Sequence, residues 1–482
     1  MALRLTFGGA PGPNIWGVIS ESITDIGNTI LQNKAWDFSL FYDPLSDTIA
    51  DPLPLSEVVP FKSAKELSVS LPQNNIGYID IYIDDNIGIA PDLGDNLTRM
   101  KRAITLAIRT LARPLDQMDV IPRKDIVSLK KFQAEGRLEE VKLVLGWIIN
   151  TRTLTIQLSE DKLRNWNADI SRMITSRKAY HKILESSIGR LNHVACILSP
   201  MRHYMGRLYQ ALFRASSLGG WTRLTQTEID DLQTLQSFLS AANKGLSLNN
   251  LVYRKPSKIY RSGASEFGIG GYNIVTGIAW RIELPVSCRL RTSLNSLEFL
   301  GCVVSIWIDH FHQVIAQEDC LLSQTDSSSA MGWLRKTNFA DKSDEAVQLA
   351  TARRLAEITI DANCTLYSQW FPGDSNSIAD SLSHDFHIDD LLLSNLLVSH
   401  FPEQVPFGLT ILPVPNEIVS WLTSLLLNQQ QKEPWLKEPT KSKFALGIDS
   451  SSTSQTLDWS PIPTLITSPN HKESESSVPL LT

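Results

Sequence analysis

The sequence predicts an α+β chain of several domains. Three observations carry that reading. Residues 77–92, GYIDIYIDDNIGIAPD, place two apolar, β-branched runs on either side of an Asp-Asp-Asn centre, the pattern of a tight β-hairpin. Residues 258–285 hold three further strand-like runs separated by turn residues, and 291–311 then changes to the spacing of an amphipathic helix. After Asn428 the composition shifts to Gln, Ser, Thr, Pro and Lys, which cannot bury a core and predicts a disordered tail. A length of 482 residues at 43% hydrophobic content allows two or three cores.

Tyr82-Ile83-Asp84-Asp85 sits at the tip of the hairpin. Adjacent acids in a strand repel one another and must be desolvated, and a divalent cation is the usual reason to keep them. Magnesium prefers hard oxygen ligands, often one or two carboxylates plus substrate phosphates. Two such ions roughly 4 Å apart serve in-line phosphoryl transfer. An isolated Asp-Asp pair reads instead as a solvated turn. The aromatic-apolar-Asp-Asp string between two strands moves the reading toward a metal.

The flanking segments carry a resemblance. LTFGGAPGPNIWGVISESITD (residues 5–25) is similar to the block that precedes the YxDD hairpin of reverse transcriptases, where Gly8, Gly9, Pro11 and Gly12 would let the backbone approach template and nucleotide. Leu97, Met100, Ile104, Ala107, Ile108 and Leu111 recur at helical spacing over 96–112, as the palm helix after the hairpin requires. KKFQAEGRLEEVKLVLGWIINTRT (130–153) resembles the region leading into the primer grip, with LGWII as its strand, and GRLNHVACILSPMRHYMGRLYQAL (189–212) resembles a thumb helix. TQTEIDDLQTLQSFLSAAN (225–243) reads as another helix, with Thr225 or Thr227 as N-cap and Gly245 as its end. The chain thus resembles a reverse transcriptase followed by ribonuclease H, of the DIRS and Ngaro-like retrotransposon kind, over about residues 1–400.

The second half supplies the ribonuclease H elements. IYRSGA, GIGGYNI and GIAWRIEL read as three antiparallel strands. RTSLNSLEFLGCVVSIWIDHF is a helix carrying Glu298, CLLSQTD is a strand ending at Asp326, and LYSQWFPGDSNSIADSLS is a strand, turn and helix bearing Asp380. The resemblance implies an α/β domain with a mixed five-stranded sheet. It assigns Glu298, Asp326 and Asp380 to three of four metal-binding acids; each alone would read as a surface acid. A histidine near the last acid is a feature of such enzymes, and His384 holds that place, with an ordinary surface histidine as the alternative.

The resemblance also implies candidate catalytic residues and metal ligands Asp84, Asp85, Glu298, Asp326 and Asp380, with magnesium or manganese as cofactor. Contact with nucleic acid or nucleotide falls to Phe7, Gly8, Pro11, Tyr82 and Trp147. A sheet-edge role is the alternative for Tyr82, and core packing for Trp147. RNA, DNA and RNA–DNA hybrid are the implied partners.

Two departures from the pattern stand out. At the first ribonuclease H acid the residues are Ser262-Gly263-Ala264-Ser265, and Gly263, without a side chain, stands where the aspartate belongs. A strand is expected to accept Gly263→Asp. The glycine-rich block opens at Leu5, so the polymerase aspartate expected upstream of it has no counterpart, and an N-terminally truncated, partly degenerate polymerase is expected. With one carboxylate lacking at each site, the expected function is a retroelement-derived RNA-directed DNA polymerase with ribonuclease H, inactive as this chain. The alternative is a non-catalytic nucleic-acid-binding or scaffold protein of the same origin.

Charge fits that reading once divided. The net charge is −6, but residues 99–261 hold 28 Lys/Arg against 13 Asp/Glu, a surplus suited to phosphate contact. The five scattered cysteines form no CxxC pair, which argues for free thiols and against zinc. Neither a signal-like segment nor a membrane-length apolar run is visible, so an intracellular protein of cytoplasm or nucleus is expected. The predicted organisation is a partial palm over 1–125, thumb and connection over 126–250, a ribonuclease H-like domain over 251–390, a helical tether over 391–427 and a tail over 428–482.

Overall fold

The computed structural model describes residues 12–43, 67–69, 76–82, 85–112, 116, 118, 120–121, 127–217, 219–335 and 344–432, with side chains described from Trp16 onward. Phe7, Gly8, Pro11, Asp84 and all but the first few residues of the predicted tail lie outside them.

Helix α1 (Gly12–Gln32) begins inside the glycine-rich block, part of which is therefore helical. It lies on a hairpin of β1 (Tyr78–Tyr82) and β2 (Asp85–Ile89), with helix α2 (Asn96–Leu111) alongside. Leu31, Ile79, Met100 and Ala103 form the shared core. Asn28 fixes the register: its side chain donates to the Ile79 carbonyl (2.8 Å) and accepts from the Ile79 amide (2.9 Å). Arg99, on α2, closes the C-terminal end of α1. Its guanidinium donates to the carbonyls of Leu31 (2.9 Å), Trp36 (3.0 Å) and Asn33 and stacks on the Trp36 ring.

Residues 129–250 form a second, mainly helical body. After α3 (Leu129–Glu135), strands β3 (Val141–Val144), β4 (Trp147–Asn150) and β5 (Thr155–Gln157) begin a small antiparallel sheet completed by β8 (Leu246–Ser247). The β3–β4 turn is Leu145-Gly146, both with positive φ. Around it pack α4 (Glu160–Ser176), α5 (His181–Ala195), α6 (Gly206–Ser217) and α7 (Gln226–Lys244). Strands β6 (Lys178–Tyr180) and β7 (Trp221–Arg223) form a separate ribbon. The single helix expected over 189–212 is two, α5 and α6. Between them lies a 3-10 turn over Ser199–Tyr204, entered through Pro200, which cannot donate to a helical ladder. Thr225 is the N-cap of α7, in a reciprocal capping box with Glu228, and Gly245 ends the helix at φ 102°.

The third body is built on a mixed sheet of order β13-β12-β9-β10-β11-β14. Strands β9 (Lys258–Ala264), β10 (Gly268–Asn273) and β11 (Ile278–Glu283) run antiparallel. Strands β12 (Cys320–Thr325) and β13 (Thr365–Trp370) run parallel to β9. Helix α8 (Leu294–Phe311), capped by Ser293, is nearly all buried against β9 and β10. Helices α9 (Ser328–Arg335) and α10 (Glu345–Asp361) link β12 to β13, and α11 (Ser377–His384) lies across β9 and β10.

Two expectations are corrected here. The sheet has six strands rather than five, because β14 (Thr410–Ile411) pairs in parallel with β11. Residues 391–427 are not a tether. After α12 (Asp390–His400), helix α13 (Asn416–Leu427) buries Ile418, Leu422 and Leu426 in the same core as α8, and Trp421 meets Trp307 edge-on at 5.2 Å. The prolines at 402, 406, 413 and 415 delimit these elements, and the four-residue spacing of Ile418, Leu422 and Leu426 drives the docking.

Candidate functional site

The hairpin places Tyr82 opposite Asp85, leaving a two-residue connection. Tyr82 is 55% exposed, so its ring is open to solvent at the end of β1. The Asp85 carboxylate is ion-paired with Lys131 of α3.

Trp147 is corrected. It is only 5% exposed and stacks on His193 at 5.2 Å inside the helical body, so no base can reach it. The alternation of β4 points it inward, and Gly146 makes the turn before it. The stacked His193 has its pKa lowered, first by burial and then by the charge of Lys162.

Three predicted acids lie on elements that meet at β9. Asp326 follows the last residue of β12, the parallel neighbour of β9. Asp380 adjoins Ala379, the α11 residue that touches Gly263. Glu298 is three residues before Gly301, which packs on Ser262 of β9. All three are partly buried. Burial pushes the Asp326 carboxyl above its ordinary value, against hydrogen bonds from its own backbone and from Asn376.

Two residues escaped the sequence reading. Asn376 precedes α11 and donates to the Ser262 carbonyl (3.0 Å), so one amide ties α11, β9 and Asp326 together; its Oδ1 is buried without a partner among the described residues. Trp370, at the end of β13, is 49% exposed, and its indole N–H donates to the Asp326 carbonyl (2.8 Å). The signal for Asn376 was its place just ahead of a helix. Trp370 looked like any aromatic in a strand.

Gly263 has a packing role that its sequence position did not reveal. It pairs directly with Gly270 on β10, and together they form a flat seat for α11. A methyl at Gly263 would lie 3.1 Å from the Ala379 carbonyl carbon and oxygen; one at Gly270 would lie 2.6 Å from the Leu382 Cβ. The obstacle at Gly263 is backbone, so an aspartate there requires α11 to give by a few tenths of an ångström, a cost that the strand position alone did not reveal.

Among the described residues no group of three or more His, Cys, Asp or Glu side chains is arranged to hold a metal ion. Glu298, Asp326 and Asp380 come from three elements that meet at β9, and Gly263 adds no donor to them.

No protein-family profile and no characterised protein matches the sequence. Among solved structures, the foamy viral protease–reverse transcriptase in complex with double-stranded DNA is similar over 62% of this chain, at 18% identity and a TM-score of 0.27. The match spans 56% of that protein's own length. No helix among the described residues is long and apolar enough to cross a membrane.

Proposed function

We propose that the chain is a retroelement-derived reverse transcriptase and ribonuclease H pair that binds nucleic acid through its basic central segment and does not hydrolyse it. The sheet order supports the ribonuclease H reading: three antiparallel strands, then two strands parallel to the first, with acids on α8, after β12 and on α11. The observation that carries the loss of hydrolysis is Gly263. It lies on β9 against Ala379 of α11, the neighbour of Asp380, and has no side chain to offer a cation. In the same reading Asp84 and Asp85 are the carboxylates that would take magnesium or manganese, in place of the Lys131 ammonium now on Asp85. The basic surplus of residues 99–261 supplies the phosphate contacts.

The test uses the full chain and an RNA–DNA hybrid. Binding is expected without sequence preference. With about six phosphates neutralised, log K should fall against log salt with a slope of roughly −5. Hybrid cleavage in magnesium or manganese is expected to be no greater than in Glu298→Gln or Asp326→Asn. Cleavage that Glu298→Gln abolishes would overturn the non-hydrolytic reading, and a flat salt response would overturn the binding reading.

A further inference from the structure

The β6–β7 ribbon carries a surface that none of the expected sites includes. Its register pairs Lys178 with Arg223, Ala179 with Thr222 and Tyr180 with Trp221. Residues directly opposite in an antiparallel pair share a face, and alternate residues change face. Ala179 and Thr222 are buried on the inner side. The outer side is therefore a patch of four: two cations at one end and two aromatics at the other.

Each half of the patch is unusual. Like charges directly opposite on a sheet destabilise it, and among the described residues neither Lys178 nor Arg223 has a carboxylate partner. Trp221 is 57% exposed yet held in place. Tyr180 packs against it with centroids 5.1 Å apart and planes at 43°. Gly219 and Gly220, at φ 74° and 96°, turn the chain into β7, and a side chain at Gly220 would come within 3.2 Å of the Tyr180 ring. A shallow, open depression runs along Trp221 and Arg223 of β7 to Lys178.

We propose that this ribbon binds an unpaired nucleic-acid strand, with one base stacked on Trp221 and an adjoining phosphate between Lys178 and Arg223. Paired cations without a counter-charge favour an anion over an apolar partner. The surrounding segment is strongly basic. Residues two apart along a strand are roughly 6.6 Å apart, the scale between a base and its own phosphate. Stacking on an aromatic beside a basic track is sequence-tolerant and selects single strands, because duplex bases offer no free face. The inference rests on the nucleic-acid reading above and adds to it a location and a strand state.

The experiment measures anisotropy of the full chain with a labelled oligothymidine and with a blunt RNA–DNA hybrid, across a salt series. Trp221→Ala should weaken oligothymidine binding by about 5- to 150-fold while leaving the blunt hybrid unchanged. Trp221→Phe should keep most of the affinity. Lys178→Ala with Arg223→Ala should lower the single-strand salt slope by about 0.7, for the one phosphate held between them. Circular dichroism melting confirms that each variant is folded. Unchanged oligothymidine affinity in Trp221→Ala, or equal losses on both ligands, would overturn the site while leaving duplex binding in place. Failure of wild type to bind either ligand would overturn both this site and the nucleic-acid reading.

Discussion

Replacing Gly263 by alanine and by aspartate separates a steric cost from an electrostatic one at the centre of the sheet. Alanine adds a methyl 3.1 Å from the Ala379 backbone, which cannot swing aside as a side chain can. Overpacking of this kind costs about 1–3 kcal/mol. At roughly 1.4 kcal/mol per tenfold, amides of β9 and α11 should exchange hydrogen about 5- to 150-fold faster, provided the cost falls on local opening. Aspartate carries the same steric cost and adds a charge to a row of three carboxyls, so its exchange should be faster still. Magnesium should then slow exchange in the aspartate variant alone, by up to about 2.7 kcal/mol at a hundredfold excess over its dissociation constant. Exchange mass spectrometry with and without magnesium reads both effects. An alanine variant that exchanges like wild type would refute the seat for α11. An aspartate variant blind to magnesium would refute the alignment of Gly263 with a lost ligand.

Two further outcomes follow from buried titratable groups. His203 is buried, and burial lowers its pKa to about 4. The unfolded chain, with an ordinary value near 6.5, takes up the proton first, so stability is fully present above about pH 6.5 and falls as the pH drops toward 4. The urea midpoint should therefore fall between pH 7 and pH 5, and by less in His203→Gln; an identical fall in the variant would count against this origin. Asp326 is shifted the other way, upward by burial, so its charged form is the disfavoured one above that raised pKa. Asp326→Asn should raise the urea midpoint at pH 7, and a lowered midpoint would mean that the hydrogen bonds to the carboxylate from Asn376 and its own backbone outweigh the cost of burying it.

The hairpin, helix α2, the capped start of α7 and the third body's element order were legible because each depends on neighbours in sequence. Thr225 and Glu228 are three residues apart, and Ser293 stands just before the helix it caps. What escaped depends on distant partners. Trp147 reads as an aromatic beside a candidate grip, and only α4 and α5, folded over it, show that its face is closed. A helical segment was expected over 391–427, but the prolines around α13 hid its docking into the core, although its apolar period was present. Pro200 was in plain view, yet the apolar content of 189–212 outweighed it. The ribbon patch was invisible because β6 and β7 are short strands 40 residues apart in sequence, and their outward residues become a set only through pairing.

Gly263 shows why a missing ligand and a missing function are different statements. If the acid row had simply lost its aspartate, the strand would have been left with space, and the site would be one substitution from repair. Instead Gly263 and Gly270 face each other, and α11 has settled onto them. Asn376 locks that approach through the Ser262 carbonyl, and its amide also hydrogen-bonds the Asp326 carboxyl, whose pKa burial raises. Binding by charge and stacking does not need the fourth carboxylate. The proposed binding draws on a surplus of cations and exposed Trp221 in the second body and on exposed Trp370 in the third. On the proposed reading, the packing at Gly263 leaves charge and stacking at the surface as the chemistry to test.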